Sequence, residues 1–281
     1  MTASASATDT ATPPRPEQGL FGPGSVTWRV NREAILLAGG GRALLLQVAH
    51  PAVAAGVAQH SDYQEDPWGR LIRTLDVTTR MVFGDMQTAA RAARGLHSAH
   101  SGVKGEADDG TPYSARDPDL LLWVWATLVD TALLVYGRYL RPLPIGDVQR
   151  YYEEQKRFAA ACGVPDGHCP DTYAEFTEYF QGMVAGELRV TADARAVADA
   201  IMRPRVPWPL RPLFAPNTLV TIGLLPPALR GQYGYDWGPG RERLLAASTV
   251  AARRVLPLLP RVVREFPAAR AATSRVGPAA A

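Results

Sequence analysis

Between Leu120 and Tyr136 the chain runs LLLWVWATLVDTALLVY, and Asp130 is the one charge in that stretch. A helix that is apolar on every face belongs at the centre of a large core. Its start is well marked: Asp117 is placed to cap it, Pro118 occupies the first helical position and Asp119 lies in the electropositive first turn. A second apolar stretch, Val26 to His60, tempts a membrane-spanning reading over Ile35 to Ala58. Gly39, Gly40, Gly41, Arg42, His50 and Pro51 interrupt it, and an Arg at a bilayer centre is costly. Two buried helices are expected there.

Helical spacing recurs over Pro67 to Phe83 and Met86 to Val103, divided by Gly84-Asp85, and again over Gly146 to Gly163, Asp171 to Glu187 and Thr191 to Met202. Pro204 to Pro216 holds five prolines and reads as a packed irregular loop, with Trp208 as a candidate for peripheral membrane contact. Leu219 to Leu225, Ala228 to Tyr233 and a closing helix from Arg241 to Val263 complete the pattern. Strand-like alternation is almost absent. The expectation is an all-α chain with one globular domain over 21–266, a disordered tail over 1–20 and a frayed Ala-rich tail over 267–281.

Composition narrows the function classes. With 47% apolar and 20% charged residues and a net charge of +3, the chain is neither a polyelectrolyte nor a bundle of membrane spans. Its 30 basic residues are interleaved with 27 acidic ones and never run longer than two, which leaves no stripe for tracking nucleic acid. Cys162 and Cys169 form neither a disulfide framework nor a zinc pattern. Met1 to Gly19 has neither the basic nor the apolar region of a signal peptide, so a cytoplasmic location and an intracellular substrate are expected.

Four of the five histidines, His50, His60, His97 and His100, fall in the first hundred residues. His97 and His100 share a helical face, and His50 sits among apolar residues where an imidazole needs a partner. No HExxH, P-loop, GxGxxG or GxSxG pattern is present; the glycines at 39–41 follow a helical segment rather than a strand. On Pro67 to Phe83, Arg70, Arg73, Thr74 and Val77 share a face that mixes cations with small apolar groups, which suits an anionic and largely apolar ligand.

Several blocks carry a resemblance. GGGRALLLQVAHPAVAAGVAQHS, PWGRLIRTLDVTTRMVFGD, HSGVKG with PYSARDPDLLLWVWATLVDTALLVY, and LLPPALRGQYG follow one another in order between about Trp28 and Trp237. Together they resemble the MpaB-type oxygenase family, which shares its catalytic domain with rubber oxygenase, the latex-clearing protein. The resemblance implies a globin-like helical domain around a b-type haem that cleaves carbon–carbon double bonds oxidatively.

Residue by residue, the resemblance makes His100 of H-x-x-V the iron ligand. Arg70, Arg73 and Thr74 match a distal R-x-x-K-T pattern in which Arg73 replaces Lys. A guanidinium stays charged and rarely ligates iron, so the distal position is open, water-bound or approached by His50. Glu65 is a nearby carboxylate candidate, and Trp125 stands where many relatives have His. The expected assignment is haem b held through His100, Arg70 and Arg73, with Arg73, Thr74 and His50 facing dioxygen and a small apolar, isoprenoid-like substrate. The alternative is a non-catalytic haem- or lipid-binding helical protein.

Overall fold

The computed structural model describes residues 16–61, 67–202 and 215–277. Among them the fold is all-α, with fourteen helices and one short hairpin. Helix α1 (Val26–Asn31) begins where the Ser25 hydroxyl accepts the Trp28 amide at 3.0 Å. A 3₁₀ segment, Ala34–Gly39, leads into α2 (Gly40–Val48) and α3 (Pro51–His60). The stretch expected to hold two buried helices therefore holds three helices and this tighter segment. Helices α4 (Pro67–Phe83) and α5 (Met86–Ser101) follow as a hairpin, and the Asp85 carboxylate caps α5 by accepting the Thr88 amide at 2.7 Å.

Strands β1 (Lys104–Glu106) and β2 (Pro112–Ser114) pair antiparallel. At three residues each they are too short to show alternation in the sequence. The central helix, α6 (Pro118–Tyr139), starts as its sequence demands, with the Asp117 carboxylate accepting the Asp119 amide at 2.9 Å. Helix α7 (Ile145–Cys162) stops at Gly163, whose φ of +100° is a left-handed turn that favours glycine. Next come α8 (Tyr173–Gly182), which runs on into a π turn over Met183–Glu187, and α9 (Ala192–Met202). Most of the proline-rich loop, Trp208 included, lies outside the described residues, as do Glu65 and the first fifteen residues.

Helices α10 (Ala215–Leu224), α11 (Pro227–Gln232), α12 (Pro239–Val255), α13 (Arg261–Arg264) and α14 (Pro267–Val276) close the fold. Two expectations are corrected here. The closing helix ends at Val255 rather than Val263, because Pro257 and Pro260 lack the amide hydrogens that would continue it. The expected frayed tail after Pro267 is a docked helix through Val276, with Ala269 and Ala272 fully buried. Small side chains bury well where helices approach closely, and an Ala-rich composition hides that.

By length and hydropathy α6 is the one described helix able to cross a membrane, yet it is the axle of the core. Trp123 and Trp125 are buried, and their indole N–H groups donate to the carbonyls of Leu46 (3.2 Å) and Gln155 (3.1 Å). Trp125 also packs against Tyr152 and Phe176, both at 5.8 Å between ring centroids. The indole there fills the core.

Two of the three consecutive glycines have a packing reason. A β-carbon on Gly39 would lie 2.6 Å from the Thr131 methyl on α6, and one on Gly41 would collide with Thr221 on α10. They let α2 lie close to both helices. Arg42, 4% exposed, then ties the three together. Its Nε donates to the Leu224 carbonyl (2.7 Å), Nη1 to the Thr131 hydroxyl (2.5 Å), and Nη2 meets the Asp130 carboxylate (2.6 Å). The one charge between Leu120 and Tyr136 is thus the partner of a buried guanidinium. Removing one member of a buried pair strands the other, so Asp130→Ala should lower unfolding stability by about 3 kcal/mol. Urea denaturation measures it; a loss within error of zero would contradict the pairing.

Candidate functional site

A cavity of about 170 Å³ lies between the Asn31–Gln47 segment, α4, α6 and α7. Helix α4 turns Thr74, Leu75, Thr78, Thr79, Val82 and Phe83 toward it, a stripe of i, i+4 and i, i+7 neighbours. Leu128, Thr131 and Ala132 come from α6, Tyr151 and Phe158 from α7, and Ile201 and Phe266 from farther along the chain. Among the described residues, none that lines the cavity is charged and none is a histidine.

The polar groups in the wall are largely turned inward on the protein. Thr78 and Thr79 donate to the helix carbonyls of Thr74 (2.9 Å) and Leu75 (2.8 Å). The Gln47 amide donates to the Thr127 hydroxyl (3.0 Å), and the Asn31 amide donates to the Thr27 carbonyl (3.0 Å) and the Tyr151 hydroxyl (3.4 Å). What remains for a ligand is methyl, methylene and ring surface, which suits an apolar molecule.

The expected site residues fall into two groups. Thr74 lines the cavity, whereas Arg73 is exposed; the side chain of Arg70 lies outside the described residues. His100, half-buried near the end of α5, and His50, half-buried at the start of α3, are not among the lining residues. The hairpin does bring α4 and α5 into register. Arg73 lies about 16 Å along α4 from Gly84, and His97 and His100 lie about 18 and 22 Å along α5 from Asp85. All three therefore sit at the end of the hairpin away from its turn. His97 also meets α7: its Nε2 would be 3.1 Å from a β-carbon at Gly163, about 7 Å along the chain axis from cavity residue Phe158.

Burial lowers the pKa of both candidate imidazoles. For His50, Glu187 and Asp117 pull part of the way back; for His100, neighbouring His97 adds to the lowering. The His50 Nδ1 is buried without a hydrogen-bond partner among the described residues. His60 and His168 are differently employed, with ring nitrogens near the Lys104 carbonyl (3.1 Å) and the Asp119 carboxylate (2.8 Å). Burial pushes the thiols of Cys162 and Cys169 up to about 12 and about 11, which removes them as thiolate nucleophiles at neutral pH. No group of three His, Cys, Asp or Glu able to hold a metal ion occurs among the described residues.

Sequence reasoning found Thr74 but missed Gln47, Thr78, Thr79, Tyr151 and Phe266. The Thr74–Thr78 and Leu75–Thr79 spacing on α4 was a readable signal. The contributions of α6, α7 and the C-terminal residues depend on tertiary packing alone.

The sequence matches the family model described as ER-bound oxygenase mpaB/B'/Rubber oxygenase, catalytic domain, over residues 28–254. It is also similar to uncharacterized proteins of Mycobacterium bovis and Mycobacterium tuberculosis, each 28% identical over 212 residues, covering 71% of this chain and 80% of theirs. No solved structure matches it. The chain belongs to the MpaB and rubber oxygenase catalytic-domain family, a family of oxygenases.

The two half-buried histidines carry a pH dependence. An unfolded chain protonates them at their ordinary value of 6.5, while the fold resists the charge. Their contribution to stability is complete above that value and is lost as pH falls below it. The melting temperature should decline between about pH 7 and pH 5, and a His50→Gln/His100→Gln double variant should flatten that decline. An equally steep decline in the double variant would place its origin elsewhere.

Proposed function

We propose that this family member is a haem b-dependent oxygenase acting on a small apolar, isoprenoid-like molecule by oxidative cleavage or oxygenation. The observation that carries the proposal is the cavity along α4, uncharged among its described lining residues, on the same hairpin whose far end bears the half-buried His100, an imidazole whose protonation burial disfavours. The donor set fits a haem. A neutral imidazole ligates iron, a porphyrin brings four nitrogens of its own, and the buried His50 nitrogen lacks a partner among the described residues. When bound, the haem supplies the oxygen-activating chemistry.

The chain's own residues then have separate tasks. His100 holds the iron. Arg73 is exposed and permanently charged, which suits a propionate carboxylate better than a metal; Arg70, one turn earlier, is assigned the same role. Thr74 marks the boundary between these polar groups and the apolar cavity, and His50 is the reserve imidazole. The cavity walls orient a substrate by shape and exclude water from it.

Protein purified from haem-replete cells should show a Soret band and a b-type pyridine haemochrome. His100→Ala should lose both, while His97→Ala and His50→Ala retain them. Retention in His100→Ala with loss in His50→Ala would make His50 the iron ligand. Absence of haem from the parent protein would overturn the haem reading altogether. The alternative, a binding protein without turnover, is favoured by the lack of a charged acid or base among the described lining residues. Oxygen uptake with an apolar alkene separates the two readings, because a binding protein consumes none.

A further inference from the structure

We propose that Phe266, delivered by a C-terminal strap from Arg261 to Val276, sets the length of ligand that the cavity accepts. This rests on the reading of the cavity as the ligand site. The family match ends at residue 254, so the wall that Phe266 supplies comes from outside the shared domain. A length limit placed there can differ between family members without any change to the residues that perform the chemistry.

The strap is fastened on both sides of Phe266. Just before it, Glu265 forms an antiparallel bridge with Glu33, and the Phe266 amide donates to the Arg32 carbonyl at 2.9 Å. The two glutamates are buried, and two buried carboxylates side by side are costly unless cations share the site. Arg264 Nε lies 3.2 Å from Glu33, and Arg32 Nε lies 3.6 Å from Glu265. Each guanidinium thus reaches a carboxylate of the other segment as well as one of its own, Arg32 lying 3.6 Å from Glu33 and Arg264 3.8 Å from Glu265, so the four charges form one cluster that spans both segments. Just after Phe266, Pro267 restricts the backbone of the residue before it, which stands at φ −55° and ψ 139°.

Helix α14 then packs its buried Ala269 and Ala272 into the core, and Arg275 Nη2 donates to the Phe83 carbonyl at 2.6 Å. Phe83 is itself a cavity residue. With its backbone held on both flanks, Phe266 enters the wall from a fixed point of the chain, and in this proposal its ring closes one end of the cavity.

Calorimetric titration of the full chain with linear primary alcohols of increasing length tests this. Affinity should rise about fourfold per added methylene until the chain reaches the end wall, and then level off. Phe266→Ala should carry the rise about two methylenes further, making the longest alcohols about tenfold or more tighter than in the parent. Phe266→Trp should bring the plateau to shorter chains. Phe266→Leu, which keeps most of the packing volume, should move it in the Ala direction by less and covers the case in which Phe266→Ala fails to fold. A plateau at the same length in all variants would overturn the role of Phe266 while leaving the cavity as a ligand site. No binding by any of the proteins would overturn the cavity reading, and this proposal with it.

Discussion

The fold depends on the buried guanidinium of Arg42. It joins α2 to α6 through Asp130 and Thr131, and to α10 through the Leu224 carbonyl. These contacts use charge-assisted hydrogen bonds in a poorly solvated place, where an unmet group costs far more than a met one contributes. The arrangement also governs the cavity. Thr131 is at once an acceptor for Arg42 and a cavity wall residue, and Gly39 lines the cavity because its lack of a side chain admits the Thr131 methyl. Fixing α2 against α6 therefore fixes one side of the chamber.

From that constraint follows a division of labour. The cavity contributes shape and an apolar lining, with its hydroxyls largely committed to the backbone, while Arg73, His97 and His100 lie at the far end of the α4–α5 hairpin. Such a plan suits a protein whose reactive chemistry resides in a cofactor. Family membership places the chain among oxygenases.

Much of the fold was legible because local signals were strong and consistent. Asp117, Pro118 and the apolar run after them set α6 to within a residue of its start, and Gly84-Asp85 marked the α4–α5 turn. Legibility failed where packing overrode composition. The alanines of α14 do not resemble a core, and the β1–β2 hairpin is too brief to have a period. The Gly39–Gly41 run could be dismissed as a nucleotide loop, but its true purpose, close helix contact with Thr131 and Thr221, needs the tertiary structure. At the cavity, the position of Thr74 on its helical face was readable from spacing. Phe158 and Phe266 were not, since nothing local distinguishes a cavity phenylalanine from a core one.

The central claim is that the apolar cavity and the His100 end of the hairpin form one site. Titrating the haem-loaded protein with an apolar alkene, while following the Soret band and binding heat together, tests it most directly. The account predicts a spectral shift whose midpoint coincides with the calorimetric one. Heat of binding without any change in the haem spectrum would contradict it.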